Sequence, residues 1–132
     1  MANFKNNYDL EERVARFGEE IILFCRRVKK DPIVLPLLVQ LIKSATSIGA
    51  NYMEANGASS RKDFANKIYI AKKEAQETKY WLRMLSVYYP NELEKLQKYR
   101  QESHEFTLIF HKIVRTIKDK DSKEPDAIKI LK

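Results

Sequence analysis

The sequence predicts an all-α protein, an antiparallel up-down-up-down four-helix bundle. Three observations predict it. Apolar residues recur at steps of three and four along four separate stretches, the signature of helices with one buried stripe. Only 3 Gly and 4 Pro occur in 132 residues, too few for a turn-rich all-β fold. Capping residues and prolines fall between the periodic stretches and leave only short links, as a bundle of antiparallel neighbours requires.

Helix one is expected from about Asp9 to Lys29. Asp9 with Glu12 has the form of a capping box, and Leu10, Val14, Phe17, Ile21, Phe24, Cys25 and Val28 make one apolar stripe before Asp31-Pro32 breaks the helix. Helix two is expected from Ile33 or Pro36 to Asn56, with Gly57 as its stop. Its core face is Leu37, Leu38, Leu41, Ile42, Ala45, Ile48, Tyr52 and Ala55. Its other side is polar and small-sided at Ser44, Ser47, Ala50 and Asn51, which lets another helix backbone come close.

Ser60 and Asp63 form a second capping box and open helix three, which should reach about Val87 on the stripe Phe64, Ile68, Ala71, Ala75, Leu82 and Leu85. Pro90-Asn91 stops and restarts the chain. Helix four should then run to about Lys118, with Leu93, Leu96, Tyr99, Phe106, Phe110, Ile113, Val114 and Ile117 facing inward. Residues 1–118 are thus one bundle domain, and 119–132 a polar, mixed-charge C-terminal tail expected to fray.

Apolar residues make up 44% of the chain and charged residues 33%, which excludes wholesale disorder. No apolar run approaches the ~18 residues of a membrane span, and the charged N-terminus lacks a signal-peptide core. A cytoplasmic protein with no membrane partner is expected. The single cysteine, Cys25, allows neither an internal disulfide nor a cysteine-based zinc site, and its place on the core stripe makes it a small buried hydrophobe.

The formal charge of +7 is unevenly placed. Residues 1–59 hold 8 Lys/Arg against 7 Asp/Glu, residues 60–118 hold 13 against 7, and the tail holds 4 of each. The basicity belongs to helices three and four, and a localised positive field points to an anionic partner, nucleic acid first. On a helical wheel Arg61, Lys72, Lys79 and Arg83 share a narrow sector of helix three with no acidic residue in it. Arg100, His104, His111, Arg115 and Lys118 share a comparable sector of helix four. If the rows adjoin, they form a strip long enough to follow a phosphate backbone; the plainer reading is two solvated faces whose cations serve solubility. Tyr69 and Tyr80 flank the helix-three row, where they could stack on unpaired bases or merely pack at a bundle edge.

Helix three carries a further apolar sector, Ile70, Trp81 and Met84, and Leu23, Leu108 and Ile109 also lie off their core stripes. Self-association would cover this surplus, since Trp and Met are frequent interface anchors, although Trp81 could instead widen the core face.

Catalysis finds little support. A di-metal bundle site needs Glu-x-x-His on two helices. Glu54, Glu74, Glu77, Glu102 and Glu105 supply carboxylates, but Gln101 and Leu108 stand three positions before His104 and His111. No nucleophile-base spacing stands out, and Gly49 and Gly57 do not make a phosphate-binding loop. Asn51 and Glu54 are read as structural, each able to bond across to a basic residue of a neighbouring helix or subunit. No enzyme, cofactor or metal is expected.

The run Ile42-Lys43-Ser44-Ala45-Thr46-Ser47-Ile48-Gly49-Ala50-Asn51-Tyr52-Met53-Glu54-Ala55 resembles the helix-two signature of the four-helix-bundle family known from ribosomal-RNA intervening sequences. Ser60-Arg61-Lys62-Asp63-Phe64 and Ala71-Lys72-Lys73-Glu74-Ala75-Gln76-Glu77-Thr78-Lys79-Tyr80-Trp81-Leu82 resemble its helix three, and the similarity covers roughly residues 8 to 118. The resemblance implies a ring-like homopentamer. It also implies relatedness to the basic accessory protein of diversity-generating retroelements, which associates with a reverse transcriptase and nucleic acid. The family has no established catalytic residues to carry over. Ser47, Asn51, Glu54, Glu74, Glu77, Lys79 and Trp81 match positions where its helices two and three meet each other or a neighbouring subunit.

Three functions therefore compete. The first is a non-enzymatic oligomeric accessory factor that holds RNA or DNA by Arg61, Lys72, Lys79, Arg83, Arg100, Arg115 and Lys118. Its subunits would meet through Ser47, Asn51, Glu54, Ile70, Glu77, Trp81 and Met84. The second is an adaptor docked on a reverse transcriptase or ribosomal component without touching nucleic acid. The third, a metal-dependent enzyme, lacks its motif.

Overall fold

The computed structural model describes residues 7–122. Among them are four α-helices, α1 (Asn7–Arg27), α2 (Leu35–Asn56), α3 (Arg61–Tyr88) and α4 (Leu93–Ser122), with a single 3-10 turn at Pro90–Glu92. The contacts between helices set their directions. α1 meets α2 where Val14 lies against Gly49 and Thr46 against Gly18. α2 meets α3 at Ser44 with Thr78 and at Glu54 with Lys67. α3 meets α4 at Lys72 with His111 and at Lys79 with His104. α4 returns to α1 at Glu102 with Arg13, and the 3-10 turn that precedes α4 does so at Glu92 with Arg27. In each seam one number rises as the other falls, so neighbours are antiparallel and each helix touches two others, the up-down-up-down arrangement.

The links explain why the helices stop where they do. Asp31 Oδ1 accepts from the backbone N–H groups of Ile33 and Val34, both at 2.9 Å, which turns the chain toward α2. The Tyr88 hydroxyl at the end of α3 donates to Asp31 Oδ2, pinning this turn to the far hairpin. Ser60 caps α3 as expected: its backbone is extended and its Oγ accepts from Asp63 N at 3.0 Å. Gly57 stands at the end of α2, but with φ −95° it occupies ordinary right-handed space, so the stop does not depend on a left-handed residue. Several boundaries shift. α1 runs from Asn7 to Arg27, so Asp9 lies inside its first turn and does not cap it. Leu93 begins α4 after the 3-10 turn instead of facing the core, and is 52% exposed. α4 also continues past Lys118 to Ser122, so the first four residues assigned to the tail are helical. The rest of that tail, 123–132, lies outside the described residues.

The α1 stripe is buried from Leu10 through Val28, as its periodicity requires. Between α1 and α4 the core is an aromatic stack: Phe17 meets Phe106 edge-on at 5.4 Å, and Phe24 meets Tyr99 at 5.7 Å and Tyr89 at 6.0 Å. Such pairs contribute ~0.5–1.5 kcal/mol each beyond the area they bury. Around α3 the core is different, because Ala71 and Ala75 leave room for close approach and buried hydroxyls tie the helices together. The Thr78 hydroxyl lies 2.8 Å from the Glu74 carbonyl and 2.9 Å from Ser44 Oγ, and Ser103 Oγ donates across to the Ala75 carbonyl at 2.8 Å.

Candidate nucleic-acid interface

The antiparallel register of α3 against α4 brings the two basic rows into one groove. Lys72 Nζ lies 3.0 Å from His111 Nδ1, and Lys79 Nζ lies 3.0 Å from His104 Nδ1. An ammonium has only donors, so each imidazole accepts through Nδ1 and carries its proton on Nε2. The rings therefore hold the lysines in place without cancelling their charge. Seven residues, about 10 Å of helix, separate the two pairs. The same register sets Arg83 at the level of Arg100, beyond Lys79 and His104.

At the other end of the groove Arg61 pairs with Asp121 at 2.6 Å. The helix-three sector itself holds no acid, but this carboxylate reaches the row from the part of α4 that had been assigned to the tail. Here the groove opens into a cavity of about 820 Å³ whose lining includes Arg61, Lys62, Val114, Ile117 and Lys118. Arg83, Arg115 and Lys118 are exposed, Lys72 and Lys79 half-buried. Arg100 is half-buried as well, and its Nε is buried without a hydrogen-bond partner. From Arg61 to Arg83 the strip spans 22 residues of α3, about 33 Å at the helical rise.

The carboxylates weighed as metal ligands have other roles. Arg13 Nη2 bonds Glu102 at 2.6 Å and Glu105 at 3.1 Å, its Nε reaches Glu102 at 3.1 Å, and its guanidinium sits 5.2 Å over Phe106. Among the described residues no three His, Cys, Asp or Glu side chains converge on one point. Burial pushes the Cys25 thiol up to about 11, which leaves it protonated and inert at neutral pH. No described helix is long and apolar enough to cross a membrane.

A comparison with protein families matches residues 7–112 to the 23S rRNA-intervening sequence proteins. The chain belongs to that family. Among solved structures it is similar to a protein of unknown function from the S23 ribosomal protein family of Bacteroides thetaiotaomicron. The two share 33% identity with a TM-score of 0.72, over 79% of this chain and 96% of that one. Among curated proteins none matches.

Of the residues that match the family's signature, Ser47, Glu54 and Glu74 lie on the α2–α3 seam, whereas Lys79 lies in the basic groove. Glu54 Oε1 accepts from Lys67 at 2.9 Å, the cross-helix bond expected of it. Asn51 does not reach a neighbour: its amide donates to the Ser47 carbonyl one turn back, at 2.8 Å. Burial raises Glu74 above its ordinary value, and a hydrogen bond from Ser47 only partly offsets this. Trp81 packs half-buried against the core and donates from Nε1 to Glu77 at 3.3 Å, so it does widen the core face. Ile70 stays exposed and Met84 half-buried.

The sequence reading missed a second apolar surface, the groove between α1 and α2. Gly18, Gly49 and Ala50 put little side chain into it, Ile22 and Met53 stand exposed along it, and Glu11 and Glu19 are part of its lining. The signal was there in Leu35, Val39 and Met53, exposed apolar residues that recur on one face of α2 beside its core stripe.

Proposed function

We propose that the protein is a non-enzymatic, oligomeric accessory factor that binds nucleic acid along the α3–α4 groove. The observation that carries this reading is the pair of lysine–imidazole contacts, which fix the register that sets the α3 row, about 33 Å long, beside the cations of α4. Such a strip binds through phosphates and has little means of reading bases. The family is named for intervening sequences of 23S rRNA, which makes RNA the first polyanion to test.

Fluorescence anisotropy with RNA and DNA across a salt series tests the proposal. Binding should fall steeply with salt. Neutralising Lys72, Lys79 and Arg83 together to Gln should weaken binding to every sequence and reduce the logarithmic salt slope by roughly two to three. Unchanged affinity and slope in that variant would refute the groove as the site.

Oligomerisation through the Ile70, Trp81 and Met84 sector is part of the proposal, supported by the exposure of Ile70. A second reading, an adaptor bound to a polymerase or ribosomal component, draws support from the apolar α1–α2 groove. It expects weak binding to free RNA and DNA even at low salt, so the same series separates the two.

A further inference from the structure

We infer that the groove takes single-stranded nucleic acid in preference to duplex, with unpaired bases stacked on Tyr69 and Tyr80. This rests on the proposed nucleic-acid function and adds the class of strand that the site selects.

Both tyrosines are 52% exposed, a high value for rings of this size on a packed helix. They stand eleven residues apart on α3, three turns and about 16 Å, and so project from one face. That face adjoins the row of Lys72, Lys79 and Arg83, on the side away from the core. A strand whose phosphates follow the cations would therefore carry its bases over α3, toward the rings.

Each ring is also held by a neighbour. Tyr80 meets Trp81 edge-on, with centroids 5.0 Å apart and planes at 76°, and Trp81 is itself anchored against the core and to Glu77. Lys73 Nζ lies 5.9 Å from the Tyr69 centroid, at the outer limit of a cation–π contact, and its flexible stem can swing from the ring to a phosphate. Rings with restrained orientations lose little freedom when a base covers them.

Strandedness follows from what a duplex can offer. Its phosphates can meet the cations, but its bases are already paired and stacked, so the tyrosine faces gain nothing. An unpaired base has a free face, and stacking on an aromatic side chain tolerates any base. The two strand types would share the electrostatic contribution and differ in the aromatic one.

The test compares a single-stranded oligonucleotide with a duplex of the same length by anisotropy, at fixed salt. The wild type, Tyr69→Ala/Tyr80→Ala and Tyr69→Phe/Tyr80→Phe are measured side by side. The wild type should favour the single strand by roughly tenfold or more, and the alanine pair should lose about thirtyfold or more of single-strand affinity while leaving duplex affinity unchanged. The phenylalanine pair keeps both rings and should bind like wild type. Trp81, the protein's only tryptophan, touches Tyr80 and gives an independent signal: its emission should change with the single strand and not with the duplex. Equal affinity for the two strands, or an alanine pair that binds single strands like wild type, overturns the strand preference and leaves the electrostatic site standing. Absence of binding to either strand at low salt overturns the proposed function as well.

Discussion

Glu74 is a signature residue whose ionisation opposes the fold. Burial raises its proton affinity in the folded state. A carboxyl raised in this way destabilises the native state once it is ionised. The cost is full above the raised value and disappears as the pH falls through the ordinary carboxylate range. Glu74→Gln retains an acceptor for Ser47 and removes the charge. It should melt at a higher temperature than wild type at pH 7, with the difference closing toward pH 4; thermal melts across that range provide the check. A lower Tm at pH 7 would mean that an attractive charge outweighs the burial. Single residues were unevenly legible beforehand. The α1 stripe was plain, since all seven of its members are apolar and evenly spaced. Thr78 and Ser103 were not, because a hydroxyl is buried only where a partner such as Ser44 Oγ or the Ala75 carbonyl awaits it, and those partners sit on other helices.

At the scale of elements, α1 and α2 cross closely at Gly18 and Gly49. Neither glycine has a positive φ, so neither position needs a glycine's backbone freedom. A methyl on Gly49 would meet Val14 at 3.5–3.6 Å, an ordinary van der Waals distance. Gly49→Ala should therefore stabilise the protein by about 0.5–1 kcal/mol, because alanine loses less conformational entropy in a helix interior. Urea unfolding measures this, and destabilisation would show that the methyl does not fit against Val14 as its distances imply. Most helix ends were readable because they rest on local chemistry: Ser60 bonds a backbone group three residues away. The extension of α4 to Ser122 was not readable, since its anchor is a long-range ion pair, Asp121 with Arg61. The basic groove lay between these cases. Wheels placed each row correctly on its own helix, but only the α3–α4 register could join them.

For the whole molecule, the α1–α4 seam decides whether the bundle closes. Its backbones approach less closely than those of α2 with α3 or α3 with α4, and side chains span the gap. Arg13 is the central one, bridging Glu102 and Glu105 above the ring of Phe106. Arg13→Ala leaves partly buried carboxylates without their cation and should cost about 2 kcal/mol in chemical denaturation. Arg13→Met with Glu102→Leu should recover most of that loss, because it removes charge and cation together. A double variant no better than Arg13→Ala would show that the guanidinium's contact with Phe106, and not charge pairing, carries the effect. The seam also bears on how the chain folds. Its hydrogen bonds join residues 65 to 92 positions apart, whereas each of the other three seams joins consecutive helices across a short link. Three helical hairpins can form early from neighbours in sequence, while α1 and α4 meet only after most of the chain has been reeled in. Closing this seam is therefore the natural last event of folding and its opening the first of unfolding, so a weakened Arg13 should quicken unfolding while leaving the folding rate nearly unchanged.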